Sequence, residues 1–251
     1  MLVLVYGLVR SGHPDPQGLA GAGEPPATVR LVRSGPVAAA VSDVADVELG
    51  DAEAVGYLDV LVGLLRDGPV LPVRFGTVAP DEDAVRTEIV DPERDLLADR
   101  LDALDGLVEV RLDVRVDEEA GIRRVVAESP QLRRLVDRAR TGGALDARIG
   151  LGEEISRALD AHRGVLADRV VQMLADLAVS HAVRLPDDVT LASHAFLVPA
   201  ARLAEVDGAV QRLRADLGAD YGIEYVGPLP AFDFIDGEPR RPEPAQGRWG
   251  W

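Results

Sequence analysis

Cysteine and lysine are both absent from this chain of 251 residues. Without cysteine there are no disulfides, thiolate nucleophiles, iron–sulfur clusters or cysteine-ligated zinc. Without lysine every fixed side-chain cation is an arginine, which excludes Schiff-base chemistry and a Walker-type phosphate lysine. Basic charge is scarce as well. The 27 arginines face 43 Asp and Glu, for a formal net charge of −16. Binding a polyphosphate or an anionic membrane takes clustered cations that displace counterions, so neither nucleic acid nor membrane is an expected partner. No run reaches the ~18 apolar residues of a membrane span. The apolar start Met1–Val9 has no basic n-region and is followed by Arg10, which argues against a signal peptide. The expectation is a soluble, cytoplasmic chain without a cofactor.

What is present is ordinary globular material. Hydrophobic residues make up 47% and charged residues 28%, enough to bury a core in one large or two small domains. Leu2–Val9 is too short for a buried helix and rich in Val, Leu and Tyr, so it predicts a strand. Ser11–Pro26 is a Gly- and Pro-dense loop, and Thr28–Val32 with Val37–Val41 form a strand pair around Ser34-Gly35-Pro36. Asp51–Asp67 carries Val55, Leu58, Leu61, Val62 and Leu65 as a helical stripe. Val70–Val73 is a short strand that Pro72 confines to an edge or a bulge. Asp81–Leu104 is helical, with a break near Asp91-Pro92.

From Gly106 a second unit begins. Leu107–Val116 alternates five apolar residues against Glu109, Arg111, Asp113 and Arg115, a strand with one wet face. Helices follow over Glu118–Arg140 and Asp146–Val183. Then come a strand over Val189–Val198, a helix over Ala201–Leu217 and a last strand, Tyr221–Val226, stopped by Gly227-Pro228. The fold class is α+β, with mostly antiparallel sheets carrying helices on one face. The reading divides the chain into an N-terminal α+β domain (1–105), a ferredoxin-like C-terminal domain with inserted helices (106–235) and a flexible Pro-, Gly- and Arg-rich tail (236–251).

A search for chemistry finds little. The four histidines show no ligand-pair spacing and no HExxH, so a structural role suits them better than a metal. Gly21-Ala22-Gly23 and Gly150-Leu151-Gly152 lack the strand–turn–helix context of a dinucleotide loop. No nucleophile elbow appears, and acidic residues are too widespread to single out a catalytic pair. The chain is not expected to be an enzyme.

Two segments stand out. Pro69–Val78 sets Arg74 and Phe75 beside Gly76 in a chain only 4% aromatic. It reads either as a strand end, with Phe75 in the core and Arg74 paired to an acid, or as a contact site. Gly227-Pro228-Leu229-Pro230-Ala231-Phe232-Asp233-Phe234 is a stiff apolar stretch. It is either a clamp for the C-terminus or an exposed patch for a partner. The two tryptophans, Trp249 and Trp251, both fall in the tail, where they could meet an apolar surface.

These two segments, with Val5-Tyr6-Gly7-Leu8-Val9 and Ala195-Phe196-Leu197-Val198, resemble the GvpF/GvpL family of gas vesicle accessory proteins, in order from Leu2 to Phe234. Leu229 and Ala231-Phe232 depart from the family pattern, where Trp and Pro-Tyr are usual. The resemblance implies a two-domain α+β protein of the gas vesicle, within the cytoplasm. It also implies a minor vesicle component that binds the small hydrophobic shell protein and other accessory proteins and limits shell-protein aggregation during nucleation, with no catalytic or metal site. Candidate partner-binding residues are Leu71, Arg74, Phe75, Leu229 and Phe232. A ferredoxin-like small-ligand-binding regulatory module is the alternative, and an enzyme on the same scaffold a third.

Overall fold

A computed structural model describes residues 2–45, 50–140, 145–184 and 190–235. The tail from 236, with both tryptophans, lies outside the described residues. The contacts divide the chain into two compact units. The first takes Met1–Val110, Leu197–Ala201 and 227–235, and the second Arg111–Phe196 and Arg202–Val226.

In the first unit, β1 (Leu2–Arg10) pairs antiparallel with β3 (Val37–Val44), which pairs antiparallel with β2 (Arg30–Ser34). Gly35 closes the β2–β3 turn at φ +55, where a side chain would be strained. On its other side β1 receives two short strands, β4 (Leu71–Pro72) and β5 (Val78–Ala79). β4 ends the path β2-β3-β1-β4, the edge position that Pro72 requires because it has no amide to donate.

Helices cover both faces of this sheet, not the one expected. Val3, Val5, Ala39 and Val41 face Val85, Val90 and, on α3 (Arg94–Ala103), Leu97 and Leu101. Leu4, Tyr6, Ala38 and Ala40 face Tyr57, Val60, Leu61 and Leu64 of α1 (Asp51–Leu65). The cause is local: β1 and β3 are apolar or small at nearly every position, so neither face tolerates water. Between β5 and α3 the chain runs through a helical turn α2 (Glu82–Ala84), a π-helical segment Val85–Val90 and a 3-10 turn Asp91–Glu93. The break expected at Asp91-Pro92 is there.

α1 corrects a second expectation. Of the expected stripe, Leu61 is fully buried against the sheet and Leu65 packs on the same cluster, whereas Val55 is 62% and Leu58 36% exposed. The helix is apolar around most of its circumference, and the face that packs is the one bearing Tyr57, whose ring stacks on Tyr6 with centroids 6.0 Å apart. The Tyr6 hydroxyl accepts from the Ala22 amide and shares a hydrogen bond with Ser42 Oγ, each at 2.7 Å, with Gly21 leaving room for it. Tyr6→Phe strips a partner from both groups inside the core. It is expected to cost about 2 kcal/mol in urea denaturation without changing the far-UV CD spectrum.

The second unit contains β6 (Leu107–Val116, from Arg111), α4 (Glu118–Glu128), α5 (Pro130–Arg140), α6 (Leu145–Ala175), β7 (Ser180–Val183), β8 (Thr190–Pro199, to Phe196), α7 (Leu203–Leu217) and β9 (Tyr221–Leu229, to Val226). The four strands order as β7-β8-β6-β9. α4, α5 and α6 pack on one another, and Val125, Leu132, Val170 and Leu174 on them are buried. Two boundaries differ from the sequence reading. Residues 180–183 are a strand, not the end of a helix, so His181 and His162 sit on different elements. β9 continues past Gly227-Pro228 to Leu229.

Candidate partner-binding surface of the first unit

The segment between β4 and β5 is built by close approach of backbones. At Gly7 an added Cβ would lie 2.9 Å from the Leu71 carbonyl oxygen and 2.8 Å from a Leu61 methyl. Only a glycine lets β4 lie this close to β1. The Val73 amide then donates to the Tyr6 carbonyl at 3.1 Å, and the Val5 amide to the Thr77 carbonyl at 2.9 Å. Between these anchors Arg74-Phe75-Gly76-Thr77 turns back on itself. The Thr77 amide and hydroxyl both donate to the Arg74 carbonyl, at 3.1 and 2.7 Å. Gly76 holds φ +85 at the third turn position, where a type II turn needs a positive φ.

Under the turn lies an aromatic ladder. Phe75 meets Tyr57 edge-on, with ring centroids 5.3 Å apart, and Tyr57 stacks on Tyr6. The Tyr57 hydroxyl donates to the Val73 carbonyl, and burial pushes its pKa up to about 12. The ladder fixes Phe75 half-buried and leaves Arg74 exposed. Arg74 forms no salt bridge with another described residue, so the acid partner expected for a strand-end arginine is not found there.

The C-terminal stretch of the first unit packs on the same core. Ala231 is buried and Phe234 packs in the cluster that holds Leu71, whereas Phe232 packs with Phe75 against the α1 cluster. The latch is Glu109, fully buried, whose Oε2 accepts the Asp233 amide at 2.7 Å. Glu109 was expected on the wet face of β6. That face holds for Arg111, Asp113 and Arg115, but a chain segment more than a hundred residues away covers Glu109. At Gly227 a Cβ would sit 2.8 Å from Val110 Cγ1, so glycine serves close packing there too.

Of the five candidate contact residues, Leu71 and Leu229 are 3% and 6% exposed, with their apolar surface already used inside the unit. Arg74, Phe75 and Phe232 retain accessible surface. Phe75 and Phe232 share one cluster. Tyr57 and Glu109 escaped the sequence reading; the signal for Tyr57 was an aromatic on a helix in a chain nearly without aromatics.

Two of the histidines make hydrogen-bond contacts within their own units. His13 places its ring nitrogens 2.7 and 2.9 Å from the Pro14 and Leu64 carbonyl oxygens, and His162 Nε2 lies 2.6 Å from the Tyr221 hydroxyl. Among the described residues no group of three or more His, Asp or Glu could hold a metal ion. No described helix is long and apolar enough to cross a membrane.

The family described as gas vesicle synthesis protein GvpL/GvpF matches residues 2–236. The chain belongs to the GvpL/GvpF family. It is 33% identical to the gas vesicle protein F of Streptomyces sp. (strain CB03234) over 240 residues, covering 94% of this chain and all of that one. The GvpL/GvpF fold extends to two crystal structures. The gas vesicle protein GvpF of Anabaena sp. PCC7120 has a TM-score of 0.82 at 18% identity, over 94% of this chain and 99% of that one. GvpF of Microcystis aeruginosa has a TM-score of 0.76 at 19% identity, over 93% and 98%. A member of this family is a gas vesicle accessory protein, and the α+β architecture with two sheets is the family's.

Proposed function

We propose that this GvpL/GvpF protein binds the small hydrophobic shell protein of the gas vesicle through the Arg74–Phe75 turn and Phe232, and limits its aggregation while vesicles nucleate. The observation that carries this reading is a rigid turn, anchored at both ends to β1, that presents an exposed arginine beside a half-buried phenylalanine. Apolar surface flanked by a cation suits a partner that is largely apolar with some acidic or carbonyl groups. An accessory protein of net charge −16 keeps such a partner in solution by like-charge repulsion between complexes. The cytoplasmic setting and contacts with other accessory proteins belong to the same proposal. The order of the second unit, one strand, three helices, two strands, one helix and one strand, with its strands ordered β7-β8-β6-β9, supports its reading as ferredoxin-like with inserted helices.

The test is co-expression of the shell protein with and without this chain, reading the soluble fraction and co-elution on size exclusion. The native chain is expected to raise soluble shell protein. Arg74→Ala is expected to leave the melting temperature within a degree or two and to reduce co-elution severalfold, because it removes only an exposed side chain. Unchanged co-elution in both Arg74→Ala and Phe75→Asp would place the contact elsewhere. A saturable melting shift with a small molecule, and no effect on shell protein, would favour the ligand-binding module instead.

A further inference from the structure

Among the described α-helices, only α5 carries more basic than acidic residues. Arg133, Arg134, Arg138 and Arg140 stand there against the single Asp137, in a chain of net charge −16. Leu132 is buried and Leu135, Val136 and Ala139 are half-buried, so the apolar side of α5 packs while all four arginines are exposed. The helix dipole accounts for Arg138 and Arg140, which lie in the last turn. It does not account for Arg133 and Arg134. Arg134 lies four residues before Arg138, a like-charge spacing that disfavours the helix. The neighbouring helices neutralise their arginines internally: Arg123 pairs with Glu119 and Arg124 with Glu128 on α4, and Arg157 with Glu154 on α6. Arg133 and Arg134, both exposed, form no salt bridge with another described residue.

We propose that this face of α5 docks a short acidic segment of a partner protein, whose carboxylates pair with Arg133, Arg134, Arg138 and Arg140. Charge complementarity selects the sign of the occupant, and the size of the patch selects its class. The 11 residues of α5 span about 16 Å, the length of about five extended residues. α5 packs against α4 and α6, and both of these carry more acid than base. A nucleic acid or an anionic membrane extends past the patch and meets those acids within a Debye length of about 8 Å, where like charge repels it. A short acidic segment ends where the patch ends. Arginine suits it, because the planar guanidinium takes a carboxylate through two parallel N–H donors and so fixes its orientation as well as its charge. This surface belongs to the second unit and stands independently of the shell-protein contact proposed for the first.

The probe is a fluorescently labelled octaglutamate peptide, titrated with the full-length protein and read by anisotropy. At about 50 mM salt it is expected to bind saturably, and about tenfold more weakly at about 300 mM. The double substitution Arg133→Ala and Arg134→Ala changes two exposed positions. It is expected to weaken binding about tenfold while far-UV CD and melting temperature stay native. Arg157→Ala with Arg163→Ala is the control, since these exposed arginines of α6 pair with Glu154 and Asp160 of their own helix; affinity is expected to stay native. No saturable binding by the native chain overturns the proposal. So does binding that the α5 substitutions leave untouched, or that the α6 substitutions weaken equally. A single-stranded RNA or a phosphatidylserine vesicle held more tightly than the peptide, through the same two arginines, would overturn an acidic segment as the occupant. Self-association at low salt that the α5 substitutions abolish, read by light scattering, would put a second copy on this face in place of a separate partner and overturn it too.

Discussion

Replacing Gly7 by alanine is expected to destabilise the first unit by about 3 kcal/mol and to abolish capture of the shell protein together with it. The new Cβ would meet two neighbours of different compliance. The Leu61 methyl at 2.8 Å can turn away at the cost of a poorer rotamer. The Leu71 carbonyl oxygen at 2.9 Å cannot, because it is backbone, held by the pairing of Gly7 with Pro72 and Leu8 with Leu71. β4 must therefore move off β1. Overpacking of a buried site costs about 1–3 kcal/mol, and the upper end applies because the Val73 and Thr77 anchors of the turn are strained with it. Urea denaturation measures the loss, and the co-elution assay measures the function. A Gly7→Ala protein of native stability that still solubilised the shell protein would show that the β4–β5 turn does not depend on this approach, and would separate the turn from the proposed function.

The close approach at Gly7 also shows what the sequence could and could not disclose. The residues Leu71-Pro72-Val73-Arg74-Phe75-Gly76-Thr77 announce a special turn through their rarity, and Pro72 alone is enough to place β4 at an edge. The β2–β3 hairpin and the break at Asp91-Pro92 were legible for the same reason: glycine and proline act on their own backbone. What resists reading depends on partners distant in the chain. Glu109 occupies a polar position in a clean period-two strand, and nothing in that strand reveals that the Asp233 amide will close over it. α1 presents two apolar faces of similar quality, and the choice between them is made by Tyr6 stacking on Tyr57, a contact across some fifty residues. Residues 180–183 extend an apolar helical pattern, yet pair as a strand because β8 lies alongside. The candidate surface was legible as a motif, and its geometry only after Phe232 and Phe75 were found on one cluster.

Lowering the pH from 7 to 4 is expected to cost the second unit about 3 kcal/mol through His194. This imidazole lies on β8, 3% exposed, and its Nδ1 has no hydrogen-bond partner among the described residues. His181 of β7 and Phe196 of β8 stand beside it, with ring centroids 6.1 and 6.0 Å away. Burial, then the neighbouring His181, lower its pKa from 6.5 to about 4, outweighing Asp113 of β6 and Asp168 of α6, which act in the opposite direction. His181 is lowered as well, by burial. The unfolded chain therefore takes up the proton as the pH falls below 6.5, whereas the folded chain holds His194 neutral until about 4. The contribution is complete above 6.5, drains away between 6.5 and 4, and is gone below that range. A shift of this size corresponds to about 3 kcal/mol. Carboxylates titrate over part of the same window, so the measurement is a difference: urea denaturation by far-UV CD at pH 7, 5.5 and 4 for the native chain and for His194→Gln. The native chain is expected to lose stability more steeply, with the two curves converging toward pH 4 because the substitution removes the titrating group. Parallel curves across the window would mean that His194 titrates alike in the folded and unfolded chain, and that its burial on β8 carries no penalty for charge.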